Sequence, residues 1–234
     1  ADMADFAEVT VSSDLVIDLR GFDITATGRA FHVTATGSLT LIDSTCGAIV
    51  TGSGVAGEQG GVIANDGTLK LYGGKYVYAA GKTVSSGGIL YSSGNFEMHN
   101  VILDASAFVN SAETAYGGAI CTGSGVTATI AGGLILGGTA YMGGGAYFDA
   151  NNTVTMEAVN VKDGSAFTGG NLVFRGTTSE AKGKATLTGC AFTDGTATGE
   201  YAGNLYMGRY SSCNLTDCYI AGGDAEKYGG NFSV

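Results

Sequence analysis

Hydrophobic and polar residues alternate with a period of two in short segments along most of the chain. One such frame reads Phe96-x-Met98-x-x-Val101-x-Leu103, in which two alternations are separated by one extra residue. This alternation is typical of β-strands with one buried face, and the extra residue indicates a corner that resets the inward phase. The frame recurs in segments that begin at Leu69, Ala128, Val154, Ala185 and Cys213.

A Gly-Gly step followed by a short apolar segment repeats along with these frames. Successive steps lie 25 to 33 residues apart, and Ala202-Gly203 fills the one gap in the series. A period of this length indicates stacked supersecondary units rather than one globular core. The steps are Gly60-Gly61, Gly87-Gly88, Gly117-Gly118, Gly144-Gly145, Gly169-Gly170 and Gly229-Gly230.

Each repeat therefore supplies about three short strands and three corners. Tight hairpin turns do not recur regularly, whereas stacking one repeat on the next gives every backbone group a partner through parallel pairing. We predict an all-β fold, a single-stranded right-handed parallel β-helix of about eight coils of roughly 25–33 residues, with the handedness that parallel crossovers adopt. Residues 1–234 form one domain, and residues 175–184 form a protruding loop.

Composition and charge narrow the classes of partner. The chain has 41 Gly, no Pro and a formal net charge of -10 at pH 7. An acidic chain argues against a nucleic-acid partner, which requires a basic face, and it suits a solvated surface. No apolar run approaches the roughly 20 residues that span a bilayer. We expect a secreted or cell-surface protein without a membrane span.

An asparagine column is predicted at one corner. Asn171, Asn204 and Asn231 each follow a glycine at the same point of successive coils, where Ala119 and Ala146 stand in earlier coils. Stacked Asn side chains can bond to one another along the axis of a solenoid, and Asn tolerates the left-handed backbone of a corner. We therefore expect a partial structural ladder of these three residues.

An aspartate column is the candidate for metal binding or chemistry. Asp104, Asp163 and Asp194 follow the second alternation of their coils and could supply carboxylates for calcium or for polysaccharide cleavage. The favoured alternative is a turn role, because Asp in Asp-Gly-Ser/Thr caps its own backbone. We assign no catalytic residue and expect no cofactor other than this calcium. His32 and His99 are expected to be solvated.

Tyrosines and cysteines form further columns. Tyrosines precede the Gly-Gly steps and could stack on sugar rings, although packing along the flank of the coils is favoured; they are Tyr116, Tyr141, Tyr201 and Tyr228. Cys190 and Cys218 share an inward column, where buried thiols are favoured over an inter-coil disulfide. Asn151, Asn214 and Asn231 lie in N-glycosylation sequons.

Two motifs resemble those of a known group of proteins. Leu15-Val16-Ile17-Asp18-Leu19-x-Gly21, followed by Gly37-Ser38-Leu39-Thr40-Leu41, resembles the start of large right-handed β-helix proteins of bacterial cell surfaces. Gly117-Gly118-Ala119-Ile120 resembles their Gly-Gly-Ala-Ile repeat step. The resemblance implies a β-helical surface protein of the adhesin-like or fibre-forming kind.

Two functions from different classes follow. The preferred one is an extracellular structural or adhesive protein, with glycans or a host surface as partners. The chain stops at the start of a coil without a polar cap, so we expect an open end that either associates head to tail in a filament or continues in a longer surface protein. The alternative is a polysaccharide-binding or polysaccharide-degrading β-helix, with Arg175 or Lys162 beside the aspartate column.

Overall fold

The computed structural model describes residues 2–234. It is all-β, with 28 strands and no helix in the described part, and every strand pairs only in parallel with the strand one coil away. The predicted β-solenoid of about eight turns is confirmed. No helix within residues 2–234 is long and apolar enough to cross a membrane.

Three faces make up each turn, and a short fourth sheet is added in the later turns. Face A carries the first alternation of each repeat, and its strands are Asp14–Asp18, Ser38–Ile42, Thr68–Tyr72, Asn95–Asp104, Thr127–Leu136, Thr153–Glu157, Gly183–Thr188 and Ser211–Thr216. Face B carries the second alternation. It consists of Met3–Phe6, Ile24–Ala26, Ile49–Gly52, Lys75–Tyr78, the second halves of Asn95–Asp104 and Thr127–Leu136, then Asn160–Lys162, Ala191–Thr193 and Tyr219–Ala221.

Face C follows the glycine step of each repeat. Its strands are Val9–Val11, Phe31–Val33, Ile63–Asn65, Leu90–Ser92, Ile120–Thr122, Ala146–Phe148, Leu172–Phe174, Leu205–Met207 and Phe232–Ser233. From the sixth face-B strand onwards, a short sheet D is added between faces B and C. The sequence did not predict this sheet, which consists of Thr139–Met142, Ser165–Thr168, Thr196–Ala197 and Asp224–Ala225.

The core is a set of apolar columns that run through the coils. Phe96 is in register with Leu69 on one side and Ala128 on the other, and Leu103 is in register with Ile135. The other repeats continue these columns as the alternation predicted. Side chains of the columns are buried inside the turns, where continuous stacking removes their apolar surface from water.

The extra residue between faces A and B has a left-handed backbone in successive coils. Positive φ angles at this corner belong to Gly73, Asn100, Gly132, Ala158, Gly189 and Asp217. This conformation bends the chain at a single residue, so the alternation of inward and outward side chains is kept in the strands on both sides of the corner. From Gly73 onwards, the corner predicted from the sequence is therefore formed by one residue with a positive φ in each coil, and this residue is either glycine or a non-glycine residue.

The first glycine of each Gly-Gly step lies in a tight turn, where its backbone approaches the face-C strand that follows. A Cβ atom on Gly117, whose φ is 66°, would clash with the carbonyl oxygen of Ile120 three residues later. The equivalent positive φ occurs at Gly60, Gly87, Gly143, Gly169, Ala202 and Gly229. The predicted step at Gly144-Gly145 is therefore wrong by one residue: the run of three glycines registers at Gly143, because Ile120 pairs with Ala146.

Candidate functional site

A lateral groove lies at the corner between faces A and B. Its volume is about 600 Å³. One wall is the outward column Ile42–Tyr72–His99 of face A, and the other is the outward column Ile49–Lys75–Ile102 of face B. Gly73 and Gly74, with φ of 77° and 80°, form the floor and contribute no side chains. The groove exists because two glycines occupy the corner between longer side chains.

Polar groups of the groove are held by hydrogen bonds and ion pairs. The imidazole of His99 stacks on the ring of Tyr72 at 5.3 Å, and its Nε2 lies 2.6 Å from Glu97 Oε1. The hydrogen bond to His99 lowers the pKa of Glu97, with partial burial opposing the shift. Lys75 Nζ lies 2.8 Å from Asp104 Oδ2 on the next coil. His99 was expected to be solvated, whereas the structure places it half-buried in this wall.

A buried carboxylate lies at one end of the groove. Asp43 is only 5% exposed, and its two oxygens accept the backbone N–H groups of Gly21 and Ala48 at 2.8 and 2.9 Å. Beneath the floor, the hydroxyl of Tyr76 is buried and has no hydrogen-bond partner. Burial raises the pKa of Tyr76, and the nearby Asp43 carboxylate adds to this shift, so the hydroxyl stays protonated at neutral pH.

The three predicted asparagines are hydrogen-bonded in series. Asn171 Nδ2 donates to Asn204 Oδ1 at 2.6 Å, and Asn204 Nδ2 donates to Asn231 Oδ1 at 2.8 Å. Asn171 and Asn204 are fully buried, while Asn231 is exposed on the last coil. In the preceding coil the asparagine column is occupied by Gly145 and not, as predicted, by Ala146. The reason is that Ala146 pairs with Leu172 rather than with Asn171.

Each asparagine also fastens the corner that leads into sheet D. Asn171 Oδ1 accepts the N–H of Gly164 at 2.9 Å, and Asn204 Oδ1 accepts the N–H of Gly195 at 3.0 Å. The residues before these glycines, Asp163 and Asp194, have φ angles of 61° and 57°. This link was not predicted from the sequence, although the Asp-Gly pairs at Asp163-Gly164 and Asp194-Gly195, before Asn171 and Asn204, could have indicated it.

The three predicted aspartates do not form one column. Asp104 is in register with Leu136, and Leu136 is in register with Lys162. Asp104 therefore lies one residue earlier along its strand than Asp163 and Asp194 do along theirs. The prediction of a common column is therefore wrong for Asp104. Partial burial would raise the pKa of Asp104, but hydrogen bonds from Lys75 and Ser106 outweigh it and lower this pKa. Residues 2–234 contain no cluster of three or more His, Cys, Asp or Glu side chains arranged for a metal ion.

The predicted tyrosines fall into two aromatic groups, and their rings pack on one another. Tyr116 stacks on Tyr147 at 4.7 Å, whereas Tyr141 stacks on Phe167 at 5.2 Å. Tyr201 stacks on Tyr228 at 5.3 Å in the last coils. Tyr141 precedes the column position, which Met142 occupies opposite Tyr116. These contacts are the packing along the flank of the coils that the sequence favoured, and Tyr228 at the end of its stack is 57% exposed.

The remaining candidates lie apart from the groove. His32 Nε2 is 3.0 Å from Asp66 Oδ2, on the outer surface of face C. Among the glycosylation candidates, Asn151, Asn214 and Asn231 are all exposed. Arg175 Nη1 donates to the hydroxyl of Tyr147 at 3.0 Å, and Lys162 Nζ lies 3.3 Å from Asp163 Oδ2. Residues 175–182 lie outside any strand before Gly183–Thr188 begins.

Comparisons with known proteins do not assign a family or a function to this chain. No family model, no curated protein and no solved structure matches the chain. The β-solenoid is established by the structure, whereas membership of the bacterial surface proteins with Gly-Gly-Ala-Ile repeats is a hypothesis that these comparisons do not support.

Proposed function

We propose that this chain is an extracellular structural or adhesive β-solenoid of the bacterial surface-protein kind, which extends by stacking end to end. The observation that carries the proposal is the uncovered apolar interior of the last coil. Leu215 and Phe232 are 40% and 39% exposed, although the same columns are buried in earlier coils. Backbone groups of the last strands also point along the axis, where a further strand can pair with them.

The first coil offers a surface that continues these columns. A second copy stacked on the last coil would bring Met3 over Ile220 on face B and Val9 over Phe232 on face C, because each pair belongs to one column. Apolar side chains would therefore meet apolar side chains on both faces. A heterologous contact of this kind does not close on itself and makes a filament.

Face A sets a constraint on such a joint. The described residues contain eight strands of face A but nine each of faces B and C. In an end-to-end stack, Asp14–Asp18 of the next copy would stand two levels above Ser211–Thr216. One face-A position is then open between the copies.

Sedimentation velocity over a range of concentrations tests the proposal. We expect the wild-type chain to form larger species as its concentration rises, and we expect Phe232→Asp to remove them by placing a charge in the joint. Val109→Asp is the matched control, since Val109 is 70% exposed on the side of the solenoid. A chain that stays monomeric at every concentration, or equal association of both variants, would contradict end-to-end stacking.

A second candidate function, binding of polysaccharides, is favoured by the groove at Gly73 and Gly74. Its aliphatic and aromatic walls suit the apolar faces of sugar rings, and Lys75 and Asp43 supply polar partners. Titration with neutral and acidic oligosaccharides, followed by NMR, tests this candidate. Ile102→Glu in the wall should weaken binding at least tenfold, while Val109→Glu outside it should not. Equal binding by both variants, or no binding by any oligosaccharide, would exclude the groove.

A further inference from the structure

Three thiols lie together in the interior of the last two coils. Cys190 is buried at the start of face B, and Cys218 occupies the same position one coil later, because Ala191 pairs with Tyr219 and Phe192 with Ile220. Cys213 enters the same interior from face A. All three are free thiols in the structure.

The thiols of Cys190 and Cys218 repeat the same local arrangement. Each donates to the carbonyl oxygen two residues earlier, at 3.4 Å in both cases. Cys218 Sγ also lies 3.3 Å from the carbonyl oxygen of Leu187 in the coil below, so this thiol is turned towards the level of Cys190. Cys218 belongs to the last coil, where it is half-buried, and this coil covers Cys190 on one side.

Burial and neighbouring thiols raise the pKa values of two of these cysteines. Burial raises the pKa of Cys190, and the nearby Cys218 thiol adds to the shift. Burial likewise raises the pKa of Cys213 to about 11, with Cys218 and Cys190 adding to it. Few thiolates of Cys190 and Cys213 therefore exist in the closed solenoid at neutral pH, so these two buried thiols react slowly.

The spacing of the coils brings Cys190 and Cys218 within reach of each other. Adjacent parallel strands lie about 4.8 Å apart, and Cα atoms joined by a disulfide are about 4.4–6.8 Å apart. The two residues are in register and point into the same interior, so their sulfur atoms can approach by side-chain rotation. Cys213 lies on another face, and no partner in register with it is a cysteine.

We propose that Cys190 and Cys218 form a disulfide that ties the last two coils together in an oxidising compartment. The Cys218 thiolate attacks a small-molecule or protein disulfide, releasing one thiol and forming a mixed disulfide. The Cys190 thiolate then attacks the Cys218 sulfur, which releases the second thiol. The two cysteines lose two protons and two electrons, and the external disulfide is reduced to two thiols.

This link would hold one of the two end coils of the described solenoid. The last coil has a neighbour on one side only, so it opens at lower free energy than the inner coils. A covalent bond between residues 28 positions apart limits this opening. Formation of the bond in the cell rests on the proposed extracellular location, whereas its formation in a redox buffer tests the geometry alone.

Peptide mapping of the full chain after equilibration in a glutathione disulfide buffer tests the proposal. Free thiols are alkylated, and the chain is then cleaved before aspartates. Cleavage at Asp163, Asp194, Asp217 and Asp224 places Cys190, Cys213 and Cys218 in three separate peptides. We expect residues 163–193 linked to residues 217–223, with residues 194–216 alkylated at Cys213.

Two single variants serve as matched controls, in a Cys46→Ser background that removes the exposed thiol. Cys213→Ser should keep the linked peptides and the rise in unfolding temperature that oxidation produces, and Cys218→Ser should lose both. Complete alkylation of Cys190 and Cys218 after oxidation, or a dominant link through Cys213, would overturn the proposal. Either outcome is independent of whether the chain forms filaments.

Discussion

Replacement of Asn204 by alanine tests the role of the asparagine ladder. Asn204 is fully buried and accepts hydrogen bonds from Asn171 Nδ2 and from the N–H of Gly195. It also donates to the carbonyl oxygen of Ala221 and to Asn231 Oδ1. Asn204→Ala leaves two buried N–H donors without this acceptor, one on Asn171 and one on Gly195.

The expected loss follows from the number of orphaned groups. An unsatisfied buried polar group costs about 1–3 kcal/mol, so two of them should lower the free energy of unfolding by about 3 kcal/mol. Asn231→Ala is the matched control, because Asn231 is exposed and water can replace its bonds. That variant should lose at most about 1 kcal/mol.

Two measurements distinguish a local role from a general loss of packing. Urea unfolding followed by circular dichroism gives the change in stability of both variants. Hydrogen exchange gives the protection of the Gly195 amide, whose acceptor is Asn204 Oδ1. We expect Asn204→Ala to lose protection at Gly195 in particular. Equal stability of the two variants, or unchanged protection at Gly195, would refute the account of the ladder.

Three further predictions concern the corners and one ion pair. Gly117→Ala should destabilise the chain by at least about 2 kcal/mol more than Gly125→Ala in thermal unfolding, because both have positive φ but only at Gly117 would the Cβ atom clash; equal losses would contradict this. Ala202→Gly should raise the free energy of unfolding by up to about 1 kcal/mol, because Ala202 has a φ of 53°, which glycine adopts without strain. Ala197→Gly in sheet D is the control and should lower the free energy of unfolding. A loss of stability in both variants would argue against strain at Ala202. The pKa of Asp104 is lowered below 3.8 in the folded state, so its contribution is complete above that value and is lost as the pH falls through the folded pKa. Acid titration of unfolding should therefore show a shallower decline for Asp104→Asn than for the wild type, and identical profiles would contradict the Lys75 pair.

The inward positions of faces A and B could be predicted from Leu69 onwards because their apolar residues alternate. Phe96, Met98, Val101 and Leu103 fix the inward phase, and a shift by one residue would expose all of them. The run Gly143–Gly145 carries no such side chains, so its register could not be fixed, and the predicted step was off by one residue. Sheet D was missed because its strands are only two to four residues long.

The groove depends on information that one repeat does not contain, whereas the misplaced position of Asp104 could have been read from the sequence. Tyr72, His99 and Lys75 belong to different coils, and the cavity between them arises from the absence of side chains at Gly73 and Gly74. Asp104 follows Leu103 directly, whereas Asp163 lies two positions after Val161. That difference was visible in the sequence. In the structure it places Asp104 in the column of Lys162 and not in the column of Asp163.

Electron microscopy of the concentrated chain tests the central claim of end-to-end association most directly. Eight turns at about 4.8 Å each give an isolated rod of about 38 Å. The account predicts longer rods of uniform width, and their loss in Phe232→Asp but not in Val109→Asp. A field of isolated rods of the single-chain length, at every concentration and in both variants, would contradict it.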